Sequence, residues 1–220
     1  MEPEDQWCEL RMWRAVGVET RVEFLGVISC FAFIVIPLLY DFPSVWTNLH
    51  IALYVVMCYL GAGTVVYHAI PNMYVDGQAF VYMMDYIPMI ITCAYLSSIY
   101  LWHFANIAIK MPTWAKFAIF STMMSWFLFL ITTMNLISLA IRNAVMVAPP
   151  VLIFTAYSYF QLSKRSLRTW AMLVASLVLW LINKYLCASQ YWLAIFHAMY
   201  HIFIAYALWS AGNIGIFLVQ

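Results

Sequence analysis

The chain has 220 residues, of which 66% are hydrophobic and only 9% are charged. A soluble domain carries about 25% charged residues, so this composition excludes an ordinary soluble domain and indicates an integral membrane protein. The formal net charge of +1 argues against a nucleic-acid partner. The acidic start of the chain is the opposite of the basic leader of a cleavable signal peptide.

Seven runs of the chain are candidate membrane spans, because a spanning helix needs about 20 mostly apolar residues. They lie at about 22–40, 48–69, 80–101, 116–137, 144–161, 168–187 and 192–215. The connectors are short, and no internal repeat or low-complexity tract interrupts the pattern. We therefore predict an all-α membrane protein in which 1–220 form one domain, a seven-transmembrane-helix bundle.

Seven spans place the two ends of the chain on opposite sides of the membrane. Lys and Arg are evenly divided between the sides, but the densest cluster is Lys164, Arg165 and Arg168. The positive-inside rule weighs such clusters near helix ends. It favours a cytoplasmic C-terminus and a luminal N-terminus.

The stretch 197–201, HAMYH, sets two imidazoles one turn apart on one helix face. At that spacing His197 and His201 can both reach one metal ion. Span counting brings His68 and Asp85 to the same depth, and polar groups in hydrocarbon are costly enough to indicate a functional site. We predict an intramembrane zinc site on the three imidazoles with an open fourth position.

Asp85 is the carboxylate available at this depth for proton transfer, and Thr64, one turn before His68, offers a hydroxyl to an oxyanion. This chemistry indicates metal-assisted hydrolysis of a lipid ester or amide. The alternative is a receptor or transporter in which the histidines only form helix–helix hydrogen bonds. His50 and His103 lie at helix ends, and we interpret them as interfacial residues.

Five cysteines are too scattered for a thiolate zinc site. Cys30, Cys58 and Cys93 lie in apolar runs, where we interpret them as small buried hydrophobic residues. Faces rich in Met and Phe, such as Met123, Met124 and Phe127, are interpreted as the wall of an acyl-chain pocket.

Five segments of the chain, spread over nearly its whole length, carry a family resemblance. They are 7–9 (WCE), 21–29 (RVEFLGVIS), 63–69 (GTVVYHA), 85–89 (DYIPM) and 197–201 (HAMYH). In the same order, these segments are similar to five motifs of one protein family: Asp-Trp-Cys-Glu, Ala-Glu-Phe-x-x-x-Ile-Ser, Gly-Ser-x-x-Phe-His-Ala, Asp-Glu-Leu-Pro-Met and His-x-x-Trp-His. The chain thereby resembles the alkaline ceramidases, in the superfamily that also holds adiponectin-receptor-like proteins and GPI-remodelling hydrolases.

The resemblance implies zinc on His68, His197 and His201, with Asp85 activating a zinc-bound water. Thr64 stands where the family has its oxyanion-stabilising serine. The implied substrate is the membrane lipid ceramide, cut to sphingosine and a free fatty acid. No obligate protein partner is evident from the sequence. The implied location is the endoplasmic reticulum or Golgi membrane. The alternative that the protein is a hydrolase of the same superfamily acting on another lipid amide or ester stays open.

The family also has a calcium site, which the resemblance places on Gln6, Trp7, Glu9 and Glu23. Gln6 replaces an aspartate of that pattern, and Arg11 replaces an asparagine. A hard cation requires several oxygen ligands, and an arginine among them opposes binding. The alternative is an ion pair between Arg11 and Glu9 in place of calcium.

The resemblance further implies a disulfide between Cys8 and Cys187, which an oxidising lumen permits. The chain departs from the family at Tyr200, which replaces tryptophan, and at Asn183, which replaces aspartate. The connection between His68 and Asp85 is longer, and it contains Asp76 as a competing carboxylate.

Overall fold

The computed structural model describes residues 8–18, 22–40, 43, 45–70, 78–108, 110–132, 148, 151–156, 163–187 and 190–219. All regular elements in these ranges are helical. The main helices are α1 (Cys8–Ala15), α2 (Phe24–Cys30), α3 (Ala32–Leu39), α4 (Asn48–Ala69), α5 (Gln78–His103), α6 (Thr113–Thr132), α7 (Lys164–Leu186) and α8 (Ala194–Val219). A π-helical turn, Phe104–Ala108, follows α5, and a 3-10 turn, Tyr191–Leu193, precedes α8.

Five helical segments of the described chain are long and apolar enough to cross a membrane. They are Asn48–Ala69, Met83–Asn106, Thr113–Thr132, Lys164–Leu186 and Tyr191–Phe217. The prediction of an all-helical membrane protein is confirmed to this extent. Apolar side chains such as Leu128, Val174 and Leu177 are exposed on α6 and α7, as a surface that faces lipid requires.

The other two predicted spans are not among the long helices of the described residues. The one at 22–40 is present as α2 and α3, which form a shorter apolar segment, Phe24–Leu39, interrupted at Phe31. The one at 144–161 lies mostly outside the described residues, although 151–156 are helical. The count of seven therefore stays a prediction.

Helix α8 lies at the centre of the described bundle and packs against α2, α3, α4, α5 and α7. Its Trp209 is fully buried in an apolar cluster that includes Phe33, Leu53 and Leu96. The indole nitrogen of Trp209 donates a hydrogen bond of 2.8 Å to the carbonyl of Tyr40. The helix that carries HAMYH is thus fixed from several sides.

Helices α4 and α5 approach each other closely at Gly63. A Cβ atom there would lie 1.9 Å from the carbonyl oxygen of Met84. That carbonyl would ordinarily accept the N–H of residue 88, but Pro88 has none. The glycine and the proline together allow the close contact. Thr64, next to Gly63, and Asp85, next to Met84, are thereby brought side by side.

Candidate metal centre

Three imidazoles meet at one end of the bundle. His68 comes from the last turn of α4, and His197 and His201 come from the first two turns of α8. The His68 ring centroid lies 5.1 Å from that of His197 and 5.0 Å from that of His201, and the last two are 4.6 Å apart. His68 and His201 are almost fully buried. The structure thus brings together the three histidines that the sequence singled out.

Glu23 holds the His68 ring from the side that faces α2. Its carboxylate pairs with His68 Nδ1, and its backbone N–H donates to the His68 carbonyl at 3.1 Å. Gly26 leaves room for the ring, since a Cβ there would lie 2.7 Å from Nδ1. With Nδ1 engaged, His68 has Nε2 left for another ligand.

Ser29 holds the ring of His201 in the same way. Its hydroxyl donates to the Gly26 carbonyl at 2.9 Å and lies 2.8 Å from His201 Nδ1. Because its one proton goes to Gly26, the Ser29 oxygen accepts from an Nδ1–H group. This tautomer leaves the lone pair of His201 on Nε2.

Asn183, near the end of α7, is the neighbour of His197. Its amide nitrogen lies 3.2 Å from His197 Nδ1, while Asn183 Oδ1 and His197 Nε2 are buried without a hydrogen-bond partner in the described structure. Amide nitrogen and oxygen are assigned from the hydrogen-bond network. Turning the amide over lets Oδ1 accept from Nδ1–H and leaves Nε2 of His197 with a lone pair.

Cys30 is a member of this centre that the sequence interpretation missed. Its thiol, an imidazole nitrogen of His68 and one of His201 all lie within 4.8 Å of one another, and this group can hold a metal ion. Cys30 thus joins the group of mutually close donors in place of His197. The sequence does contain a signal, because Glu23, Gly26 and Cys30 are spaced to share one face of a helix.

Asp85 and Thr64 lie together beside the imidazoles. The Thr64 hydroxyl lies 2.6 Å from Asp85 Oδ1 and 2.9 Å from the Leu60 carbonyl, so it can donate to either acceptor. Both side chains line the same cavity as the three histidines. The structure therefore groups every residue predicted for the zinc chemistry.

The cavity has a volume of about 300 Å³ and a largely apolar wall. It reaches from His197 at one end of α8 to Ala211 further along the same helix, a distance of about 21 Å at 1.5 Å per residue. The pocket wall expected on α6 is not there. Met123 and Phe127 instead pack in the α5–α6 contact, and Met124 is exposed.

Of the residues predicted for calcium, Gln6 and Trp7 lie outside the described residues. The Glu9 carboxylate accepts hydrogen bonds from Trp13 Nε1 at 2.9 Å, from Leu25 N at 2.5 Å and from Gly26 N at 2.9 Å. Burial raises the pKa of Glu9, and these hydrogen bonds oppose the rise. Both carboxylate oxygens of Glu9 thus bind the protein itself, and Glu23 pairs with His68.

The predicted disulfide involves Cys8, whose side chain lies outside the described part of the chain. Cys187 is buried and packs with Ala194 against Met12 of α1. Helix α1 therefore lies beside the end of α7, where Cys187 is, and the pairing stays a prediction. Cys30, Cys58 and Cys93 are free thiols.

Comparison of the chain with known proteins identified no relative, since neither a family model nor a curated protein matches it.

Proposed function

We propose that this protein is a zinc-dependent intramembrane amidase that hydrolyses ceramide to sphingosine and a free fatty acid. The observation that carries the proposal is the cluster of three imidazoles, each with its Nδ1 beside an outer partner: Glu23, Asn183 or Ser29. Histidines that bind a metal nearly always donate their other N–H group to such a partner, which fixes the tautomer.

The separations between the three rings match those of imidazoles on one zinc ion, although a nitrogen of His197 must come closer to join the mutually close donors of His68 and His201. Imidazoles bound to a tetrahedral zinc at about 2.0–2.1 Å have ring centroids about 5 Å apart, and the separations in this structure are 4.6–5.1 Å. His197 Nε2 is buried without a partner, a state that costs about 1–3 kcal/mol and that a metal would relieve. Zinc held there would supply an acidic bound water and polarise the scissile carbonyl.

Asp85 is the proton-transfer group of the proposal. Its carboxylate takes a proton from the attacking water and returns it to the departing amine, as general acid–base catalysis requires. The Thr64 hydroxyl holds Oδ1 of Asp85, which leaves the other carboxylate oxygen for the proton. When substrate binds, the same hydroxyl can turn to the developing oxyanion.

The cavity supports the choice of a lipid substrate. Its apolar wall extends about 21 Å from the imidazoles, which exceeds the half-thickness of about 15 Å of a bilayer's hydrocarbon core. A long acyl chain therefore fits lengthwise with its carbonyl at the metal end. The choice of an amide, and of ceramide, depends on the resemblance to the alkaline ceramidases.

The proposed setting is a membrane of the endoplasmic reticulum or Golgi with the N-terminus luminal. The basic cluster Lys164–Arg165 at the start of α7 supports this orientation. The imidazoles then lie in the luminal leaflet.

The test is lipid hydrolysis by purified protein in bilayer nanodiscs. Ceramide and an ester of matched chain length are supplied separately, and free fatty acid and sphingosine are measured. We expect cleavage of ceramide by wild type and its loss in Asp85→Asn and His197→Ala. Cleavage of the ester but not of ceramide would show that the substrate is an ester and not ceramide. Undiminished cleavage by Asp85→Asn would refute the mechanism.

A further inference from the structure

Cys30 is the one free thiol of the described residues that joins a group of imidazole donors. It ends α2 with a fully buried side chain, and its sulfur lies 3.6 Å from His201 Nδ1. Cys93 is also a buried free thiol and lines the same cavity. It belongs to no such donor group. Burial alone therefore does not account for the position of Cys30.

The distances between the donors are close to those in a metal site. A thiolate at about 2.3 Å and an imidazole nitrogen at about 2.0 Å from one tetrahedral zinc lie about 3.5 Å apart. The donors of Cys30, His68 and His201 already lie within 4.8 Å of one another. The three donors must therefore come about 1 Å closer, and the His201 ring must also move, because the nitrogen 3.6 Å from the Cys30 sulfur is Nδ1, the atom beside Ser29.

We infer that Cys30 is a further ligand of the metal centre and acts beside His68, His197 and His201. This inference rests on the metal centre of the proposed function. A zinc site with four protein ligands is closed, whereas a catalytic site keeps one position open. A Cys30 thiolate would take the position that water needs, and its proton would pass to the water it displaces. Cys30 would then have to move away before hydrolysis.

Cobalt(II) reports this ligand directly because a cobalt–thiolate bond adds a sulfur-to-metal charge-transfer band in the near ultraviolet. Wild type, Cys30→Ser and Cys93→Ser are loaded with cobalt in detergent without lipid. We expect the band in wild type and Cys93→Ser and its loss in Cys30→Ser. The visible cobalt bands of a site with imidazole ligands should remain in all three proteins.

Thiol labelling of wild type keeps the inference testable if Cys30→Ser does not fold. Alkylation is followed by mass spectrometry with zinc bound and after chelation. Cys30 should be protected only while zinc is bound, whereas Cys93 should label equally in both states.

Cobalt binding distinguishes a failure of the Cys30 inference from a failure of the proposed metal centre. Visible cobalt bands without the charge-transfer band in wild type would overturn the role of Cys30 and leave the imidazole site standing. A wild type that binds no cobalt would overturn the metal centre and the inference together.

Discussion

Replacing Gly63 by alanine is expected to remove most hydrolytic activity without changing any group that acts on the substrate. The new Cβ would lie 1.9 Å from the Met84 carbonyl oxygen, whereas ordinary van der Waals contact begins at 3.4 Å. The new Cβ and the Met84 oxygen must therefore move apart by about 1.5 Å, the difference between these two distances. Because Met84 contributes a backbone atom, no rotamer change can supply it, and α4 and α5 must move apart.

The displaced pair is Thr64 and Asp85, each adjacent to a clashing residue. Their 2.6 Å hydrogen bond would open to about 4 Å, beyond hydrogen-bonding distance. A misplacement of about 1 Å in an active site can cost about 100-fold in rate. We therefore expect Gly63→Ala to lower kcat for ceramide hydrolysis about 100-fold, measured as fatty-acid release in nanodiscs.

A matched control is Gly215→Ala, the same change in the distal half of α8. There the nearest atom is the Cγ2 methyl of the Ile99 side chain at 2.8 Å, so the clash is smaller than at Gly63 and lies away from the contact between Gly63 and Met84. This variant should keep a rate near that of wild type.

A double mutant tests the proposed cause. Thr64→Ala should cost much less in the Gly63→Ala background than in wild type, because the bond it removes is already broken. Equal costs in the two backgrounds, or a Gly63→Ala enzyme of normal rate, would refute the reasoning.

Three further predictions concern the outer partners and the tail. Glu23→Gln should weaken zinc binding about 10- to 100-fold, as loss of an outer partner does. Competition with a chelator measures the affinity, and an unchanged affinity would contradict the role of Glu23 in holding His68. Glu9→Gln should lower the melting temperature even with calcium chelated, because its hydrogen bonds join α1 to α2; a loss seen only with calcium present would instead favour an ion site. Cys8 and Cys187 should resist alkylation until reductant is added, and labelling without reductant would exclude the disulfide.

The sequence predicted the helical class and the grouping of the polar residues because both follow from simple periodicities. Apolar runs of spanning length predict spans, and span counting set His68 and Asp85 at the depth of HAMYH. Five of the spans match helices that can cross a membrane. The shorter, interrupted Phe24–Leu39 segment was not predicted, since composition does not reveal a break at Phe31.

The residues that hold the histidine rings could not be predicted from the position of each residue along its membrane span. Asn183 and Ser29 contact histidines of α8 because of how the helices pack, and spacing within one span carries no information on such contacts. Cys30 was interpreted as an apolar residue because buried cysteines usually are. Glu23 was assigned to calcium through the resemblance, whereas its described partner is His68.

The metal content of the purified protein tests the central claim most directly. Metal analysis of wild type, His68→Ala, His197→Ala and His201→Ala should find zinc bound stoichiometrically in wild type and strongly reduced in each variant. A wild type that folds and hydrolyses ceramide without bound metal would contradict the account.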